Sequence, residues 1–392
     1  MGMIHNDWAH VGVASLNQTV GDWSGNERRI REVIAAARGE GVKLLLLPEM
    51  CLSGYSLSDR LLRVGTMLRS WDRLLRLRDA TEGMAVAVGL PILLEDVVFN
   101  AMGLLADGKL VGLVAKENLA TGDVQYENRY FQPWPRERRI ESRGPDGTSV
   151  PLGNQIFDLP GIGMVGFEIC EDAWKGIRPG SIHALAGAEI LLNPSASWFT
   201  IGKHRVRRRM VEQISLEDHC VYLYASLLGC DATRLIFDGS LFIAVNGRIE
   251  AEGRRFVFTR DFELTHRVVD LRELRHARME EGSWREQHQR AEFGQFGLWP
   301  SIVRVDSEFG SSQAPLPPSP YWLPPEPRHA DPSLAYLESQ CYGGKTITER
   351  DLNHIELELA LALGLRDYTR KCGVKTLCLA ISGGRDSAMV AV

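Results

Sequence analysis

The chain has 392 residues, 44% of them hydrophobic and 24% charged, with a formal net charge of -5; this is the make-up of a soluble globular protein with one large domain or two. The acidic balance excludes a global basic field for nucleic acid, the apolar runs fall short of the roughly 20 residues a membrane helix needs, and the N-terminal MGMIHNDWAH has no apolar signal core. Seven cysteines (51, 170, 220, 230, 341, 372 and 378) form no C-x-x-C pair, which argues against a disulfide framework or a zinc site and for a reducing, cytoplasmic compartment.

In chain order, VGVASLN (11–17) is a short β-rich run, and NERRIREVIAAARGEG (26–41) reads as a helix with Asn26 as N-cap and Gly39 and Gly41 as stops. VKLLLLPEM (42–50) is the continuous apolar run of a strand buried on both faces. RLLRVGTMLRSWDRLLRLRDATEG predicts a second helix and MAVAVGLPIL a second strand. VFNAMGLLADGKLVGLVAKENL predicts a hairpin turning at Asp107-Gly108, and SLFIAVNGRIEAEG one turning at Asn246-Gly247. Between them lie two strands over 155–170, then helix and strand in IHALAGAEILLNPSAS, and the same again in RRRMVEQISLEDHCVYLYASLLG. This alternation is that of a layered α/β domain, with expected bounds 1–275.

The composition changes after about residue 275, and GSSQAPLPPSPYWLPPEPRHADP (310–332) holds eight prolines. Residues 276–345 therefore read as a linker or extended arm. Helical pattern resumes at TERDLNHIELELALALGLRDYTRKCG with Thr348 as N-cap, and VKTLCLAISGGRDSAMVAV reads as strand, glycine turn and helix start. The expectation is that 346–392 begins a second α/β domain that this chain does not complete. The basic stretch KHRVRRRM (203–210) fits a solvated helix face with Val206 and Met210 inward, or in part a subunit or interdomain contact.

Three reactive residues end strand-like runs: Glu49 after LLLLP, Lys116 after LVGLVA and Cys170 after MVGFEI. Strand C-terminal ends are where α/β sheets collect active sites. Singly, each reads first as something plainer: a strand-end carboxylate, a surface lysine and a small buried hydrophobe. Together they suit acyl transfer from an amide: a carboxylate raised by burial takes the thiol proton, and an ammonium stabilises the oxyanion. The cysteine stands among Glu168, Glu171 and Asp172 in GFEICEDAW, where negative charge suppresses a resting thiolate. Strand alternation puts Glu168 on the side of Cys170.

LLLLPEMCLSGYSLSD, KENLATGDVQYENRYF, GFEICEDAW and LLNPSASWF occur in the order and approximate spacing of the nitrilase (carbon-nitrogen hydrolase) superfamily. Within it, the chain is similar over about 8–270 to the glutaminase domains of the NAD+ synthetase family. The resemblance implies an αββα sandwich, oligomerisation through that fold, Cys170 as nucleophile, Glu49 as general base and Lys116 as oxyanion-stabilising lysine. It further implies Glu127 as a second glutamate beside the triad. Glu171 would complete the oxyanion hole with its N–H and meet the substrate's α-amino group with its carboxylate. Trp174, Ser195 and Ser197 would shape the glutamine pocket; packing and turn formation account for the same residues without a substrate. Some relatives carry a tyrosine six residues after the lysine, where this chain has Gly122.

Ser382-Gly383-Gly384-Arg385-Asp386-Ser387 resembles the PP-loop of ATP pyrophosphatases. It is not a Walker A loop, since Gly-Lys-Ser/Thr is absent. By that resemblance Ser382, Gly383, Gly384, Asp386 and Ser387 would hold ATP phosphates with Mg2+, while Arg385 stands where relatives carry a small apolar residue. The function this implies is glutamine hydrolysis to glutamate and ammonia, without metal, feeding ATP-dependent amidation of nicotinic acid adenine dinucleotide to NAD+. A free-standing amidase or carbamoylase, or a non-catalytic ATP-binding regulatory module, are the alternative readings.

Overall fold

A computed structural model describes residues 7–122, 124–292, 299–307, 309–310 and 347–391. The elements are β1 (Trp8–Leu16), α1 (Trp23–Gly39), β2 (Leu44–Leu46), α2 (Val64–Arg76), β3 (Ala85–Leu94), β4 (Val97–Ala106), β5 (Lys109–Ala115), β6 (Arg139–Arg143) and β7 (Ser149–Gly153). They continue through β8 (Gln155–Leu159), β9 (Gly163–Phe167), α3 (Pro179–Leu185), β10 (Ile190–Ser195), α4 (Lys203–Glu217), β11 (Val221–Ser226), β12 (Leu228–Cys230) and β13 (Ile236–Asp238). Last come β14 (Leu241–Val245), β15 (Arg248–Glu252), β16 (Phe262–Asp270), α5 (Leu271–Glu280), α6 (Gly282–Glu292), β17 (Ser301–Arg304), α7 (Glu349–Lys371) and a short helix Arg385–Ala391.

The strands form an eight-stranded sheet ordered β16-β1-β2-β3-β4-β5-β7-β6 and a seven-stranded sheet ordered β15-β14-β11-β10-β9-β8-β17. Alternation along each strand decides which layer a side chain joins. Val11 and Val13 of β1, Leu44 and Leu46 of β2, Val165 and Phe167 of β9 and Leu223 of β11 meet between the sheets. The alternate residues Leu45, Val86 and Val88 pack outward against Ile30, Val33 and Ile34 of α1 and Leu74 of α2. On the other side Leu191, Tyr222 and Phe242 meet Leu185 of α3, Val211 and Ile214 of α4 and Trp284 of α6. The result is the expected α-β-β-α sandwich. Strands buried on both faces explain why the central runs are continuously apolar rather than alternating.

Both hairpins turn where expected: Asp107 and Gly108 (φ 47° and 76°), and Asn246 and Gly247 (φ 44° and 88°), take the left-handed conformations a two-residue turn needs. Other expectations are corrected. Asp22, not Asn26, caps α1, accepting from Gly25 N, while the Asn26 side chain is buried and donates to the Thr19 and Leu52 carbonyls. The long helix expected over 60–83 breaks into 3-10 turns at Ser58–Leu62 and Arg78–Thr81 flanking α2.

The reading of 276–345 as linker meets regular structure: Trp284 and Ala291 of α6 pack in the outer apolar layer, and β17 adds to the second sheet parallel to β8. Four residues suffice for β17 because the backbone of β8 supplies its hydrogen bonds. The proline-rich stretch 311–346 lies outside the described residues. Thr348 does cap α7, in a reciprocal box with Asp351. The run before the glycine turn is not a strand; a strand needs a neighbour, none of the described residues pairs with it, and Leu377 and Ile381 stand exposed. Among the described residues, no helix is long and apolar enough to cross a membrane.

Candidate active site

Glu49, Lys116 and Cys170 reach one buried place from three strand ends. Glu49 lies three residues past β2, where Gly89 of β3 lets the chain pass: a Cβ there would come within 2.4 Å of Met50 N and 2.5 Å of the Pro48 carbonyl. Lys116 directly follows β5 and prolongs its pairing through an N–H to the Asn100 carbonyl at 2.8 Å. Cys170 opens the 3-10 turn Cys170–Trp174 beyond β9, with φ at 49°, a conformation a residue with a side chain adopts rarely and at a cost.

Asp172 holds that turn. Its Oδ2 accepts from Ile169 N at 2.9 Å, and its Oδ1 accepts from Asn118 N and Nδ2 at 2.7 and 2.8 Å. One carboxylate therefore ties the turn carrying Cys170 to the loop after Lys116. Burial pushes its pKa up to about 7.

Every oxygen of the two central glutamates is engaged. Glu49 Oε1 accepts from Lys116 Nζ at 2.7 Å and from Asn100 Nδ2 at 2.7 Å, and its Oε2 accepts from Ala196 N at 2.8 Å. Glu127 Oε1 accepts from Lys116 Nζ at 2.9 Å and Tyr55 OH at 2.7 Å, and its Oε2 accepts from Ala120 N at 2.7 Å. Burial raises the Glu49 pKa, with the Lys116 charge pulling the other way. For Lys116 burial opposes the charge, but Glu127 and Glu49 together keep it an ammonium. Burial first and the Glu49 charge second push the Cys170 thiol up to about 12, while Lys116 and the Ala196 N–H favour its thiolate. The cluster is thus a protonated thiol beside a hydrogen-bonded carboxylate and a fixed ammonium, groups whose chemistry can supply a nucleophile, a proton acceptor and an oxyanion partner.

The other expected residues are spread more widely. Glu171 pairs with Lys175 at 2.6 Å and is partly exposed, as is Trp174. Ser195 is buried, and its hydroxyl donates to Asn193 Oδ1 at 2.7 Å. Ser197 accepts from Arg207 Nε at 3.2 Å. Glu168 does not share the side of Cys170. The strand ends at Phe167, so alternation does not carry across the turn, and Glu168 pairs with Arg178 at 3.2 Å and accepts from Tyr222 OH at 2.5 Å.

The basic stretch 203–210 is also corrected. Val206 is exposed, whereas Arg207 is fully buried, its Nη1 donating to both Asp238 oxygens at 2.8 and 2.9 Å and its Nη2 to the Ser197 and Trp198 carbonyls at 2.8 Å each. Sequence reading also missed Asn100 and Tyr55. Asn100 had a visible signal, a lone amide within the apolar run VFNAMGLL; Tyr55 had none.

Ser382, on an exposed turn, and Ser387, in the first turn of the short helix that follows, have their hydroxyls 3.2 Å from each other. Gly383 has φ 82° and no atom near the position of a Cβ. Gly384 N donates to Ser382 Oγ at 3.4 Å. Arg385 and Asp386 begin the short helix that follows.

Residues 10–258 match the model of the carbon-nitrogen hydrolase family. The glutamine-dependent NAD(+) synthetase of Dictyostelium discoideum is 28% identical over 97% of this chain and 50% of its own length. That of Mus musculus is 33% identical over 68% of this chain and 38% of its own. The crystal structure of a glutamine-dependent NAD(+) synthetase from Cytophaga hutchinsonii superposes with a TM-score of 0.63 at 32% identity, covering 67% of this chain and 43% of that one. The chain spans about half the length, or less, of the curated relatives it matches.

Proposed function

Because the chain belongs to the carbon-nitrogen hydrolase family, we propose that it releases ammonia from the side-chain amide of glutamine, for use in the ATP-dependent amidation of nicotinic acid adenine dinucleotide to NAD+. The names of its relatives support the substrates. The observation that carries the chemistry is the buried set of Glu49, Lys116 and Glu127 around the Cys170 thiol.

In this reading Glu49 takes the thiol proton as the Cys170 sulfur attacks the amide carbon, and the carbonyl oxygen becomes an oxyanion beside Lys116 and the Glu171 N–H. The C–N bond then breaks, Glu49 returns the proton to the departing nitrogen, and ammonia leaves a glutamyl thioester. Water attacks that thioester with Glu49 again as base, releasing glutamate and restoring the thiol. The atoms balance as glutamine plus water giving glutamate plus ammonia. Glu171, partly exposed beside Lys175, meets the α-ammonium of the substrate, with Trp174 beside it in the same turn; Ser195 and Ser197, whose hydroxyls serve Asn193 and Arg207, shape the site through the backbone that carries Ala196.

The turn and the helix start after it suit an anion: nothing lies within 4 Å of a Cβ position at Gly383, and the Ser382 and Ser387 hydroxyls and the Gly384 N–H gather at one place; Asp386 follows as an acidic side chain for the accompanying cation. ATP, bound with Mg2+, supplies the adenylyl group that activates the dinucleotide's carboxylate. The six described cysteines are free thiols, in keeping with a cytoplasmic setting.

The test is ammonia and glutamate release from glutamine by the wild-type chain and by Cys170→Ala, with mass spectrometry of the trapped thioester. Turnover that survives Cys170→Ala at the wild-type rate would sink the assignment.

A further inference from the structure

We propose that Glu356, on α7, is a positioning residue for the loop that frames the Cys170 site; the inference rests on the amidase reading above and extends it to an element outside the sandwich. The loop Ala196–Gly202 joins β10 to α4. Its first residue gives its N–H to Glu49 Oε2 at 2.8 Å and favours the Cys170 thiolate. Small movements of this segment therefore reach both the base and the nucleophile.

The loop is gripped at both ends by one chain of buried ions. At its start, Arg207 donates to the Ser197 and Trp198 carbonyls. Arg207 in turn donates from Nη1 to both oxygens of Asp238, and Asp238 lies 3.6 Å from Arg255. Arg255 reaches Glu356 Oε1 at 2.9 Å, with both side chains only 2% exposed. At the loop's end, Glu356 Oε2 accepts from Gly202 N at 2.9 Å, the N-cap position of α4, where a carboxylate also meets the positive end of the helix. Glu356 thus closes a circuit of alternating charge, Glu356–Arg255–Asp238–Arg207, whose two ends are the two ends of the pocket loop.

A buried charge that merely held α7 in place would need one partner. Glu356 divides its two oxygens between the ion chain and the loop backbone, which fixes the loop relative to α7 as well as α7 relative to the body. Ile355, Ala360 and Leu363 supply the docking itself. The carboxylate adds register.

The experiment compares wild type with Glu356→Gln, which keeps the shape and removes the charge, and with Arg255→Lys as a second variant should the first not fold. The expected result is a KM for glutamine raised about tenfold, the size of losing a hydrogen bond to a charged group. A displaced acid limb of kcat/KM and a changed rate of Cys170 alkylation, read on the Cys170 peptide, should accompany it. A lowered Tm with KM, pH profile and alkylation rate unchanged would overturn the inference, since that is what a purely structural ion pair gives. If the wild type turns over no glutamine, the substrate reading fails on its own. The alkylation rate then decides the positioning claim: altered in Glu356→Gln it stands, unaltered it falls.

Discussion

The ammonium of Lys116 lies 2.7 Å from Glu49 Oε1, with both side chains wholly buried, and Glu127 takes its other side at 2.9 Å. One cation between two carboxylates leaves an excess negative charge where water does not reach, beside a thiol that stays protonated. On the proposed reaction, the ion set keeps the Glu49 carboxylate next to the Cys170 thiol without ionising the thiol before substrate arrives.

Replacing Lys116 with Met leaves Glu49 and Glu127 without their cation, so one must take up a proton or the site must open. The expected outcome is a stability loss of about 3–5 kcal/mol in urea unfolding. Glutamine hydrolysis falls by about 10²–10³, the usual cost of removing an oxyanion donor.

The acid limb of kcat/KM belongs to the free enzyme. Turnover needs the carboxylate form of Glu49, whose pKa burial raises, so activity falls with decreasing pH at a value above the about 4.3 of a free glutamate. Thiol ionisation near 12 contributes no limb in the neutral range. Asn100→Ala withdraws one donor from Glu49 Oε1 and moves the limb further up; a limb that stays where it was would deny Glu49 the role of base.

Asp172→Ala strands the backbone N–H groups of Ile169 and Asn118. Each stranded donor costs about 1–3 kcal/mol, so the melting temperature drops. Because the turn that sets Cys170 loosens, kcat should fall more than KM rises, which steady-state kinetics on the folded fraction reads directly.

His183 is buried, its Nδ1 accepting from Phe167 N at 3.1 Å and its Nε2 facing Asn154 Oδ1 at 2.6 Å. Burial pushes its pKa down to about 3, while an unfolded histidine titrates near about 6.5. Between those values the unfolded chain holds a proton the native protein refuses. The associated stability is complete above about pH 6.5 and lost as pH falls towards 3. Glu168 and Asp172, raised to about 7, act with the opposite sign, so the difference between wild type and His183→Gln is the quantity to follow. That difference should have a slope of about one proton near pH 5 in urea titrations; a flat difference would mean the ring charges in place.

The sandwich was legible because its signals are local: apolar runs of strand length, Asp-Gly and Asn-Gly turns, and helices with visible stops. Glu49, Lys116 and Cys170 were legible because each ends such a run. What escaped depends on partners far away in the chain. Arg207 looks like one of several surface arginines until Asp238, 31 positions on, makes it a buried strut. Asn26 has the chemistry of a cap, but its side chain is used on Thr19 and Leu52 instead. Ser195 lies in a pocket motif yet turns to Asn193. Local propensity says nothing about β17, whose existence depends on an open neighbour rather than on its own residues.

That last strand bears on how the protein can be cut. Composition suggests a break near residue 275, yet a piece ending there would lose α6 from the outer layer and β17 from the flank of β8. The bared edge of β8 would offer unpaired N–H and C=O groups to any other chain, next to the apolar surface that Trp284 now covers. Such a fragment should self-associate more than one extended past Arg304, which keeps β8 paired along Gln155–Asp158 and leaves only the short, four-residue β17 as its edge.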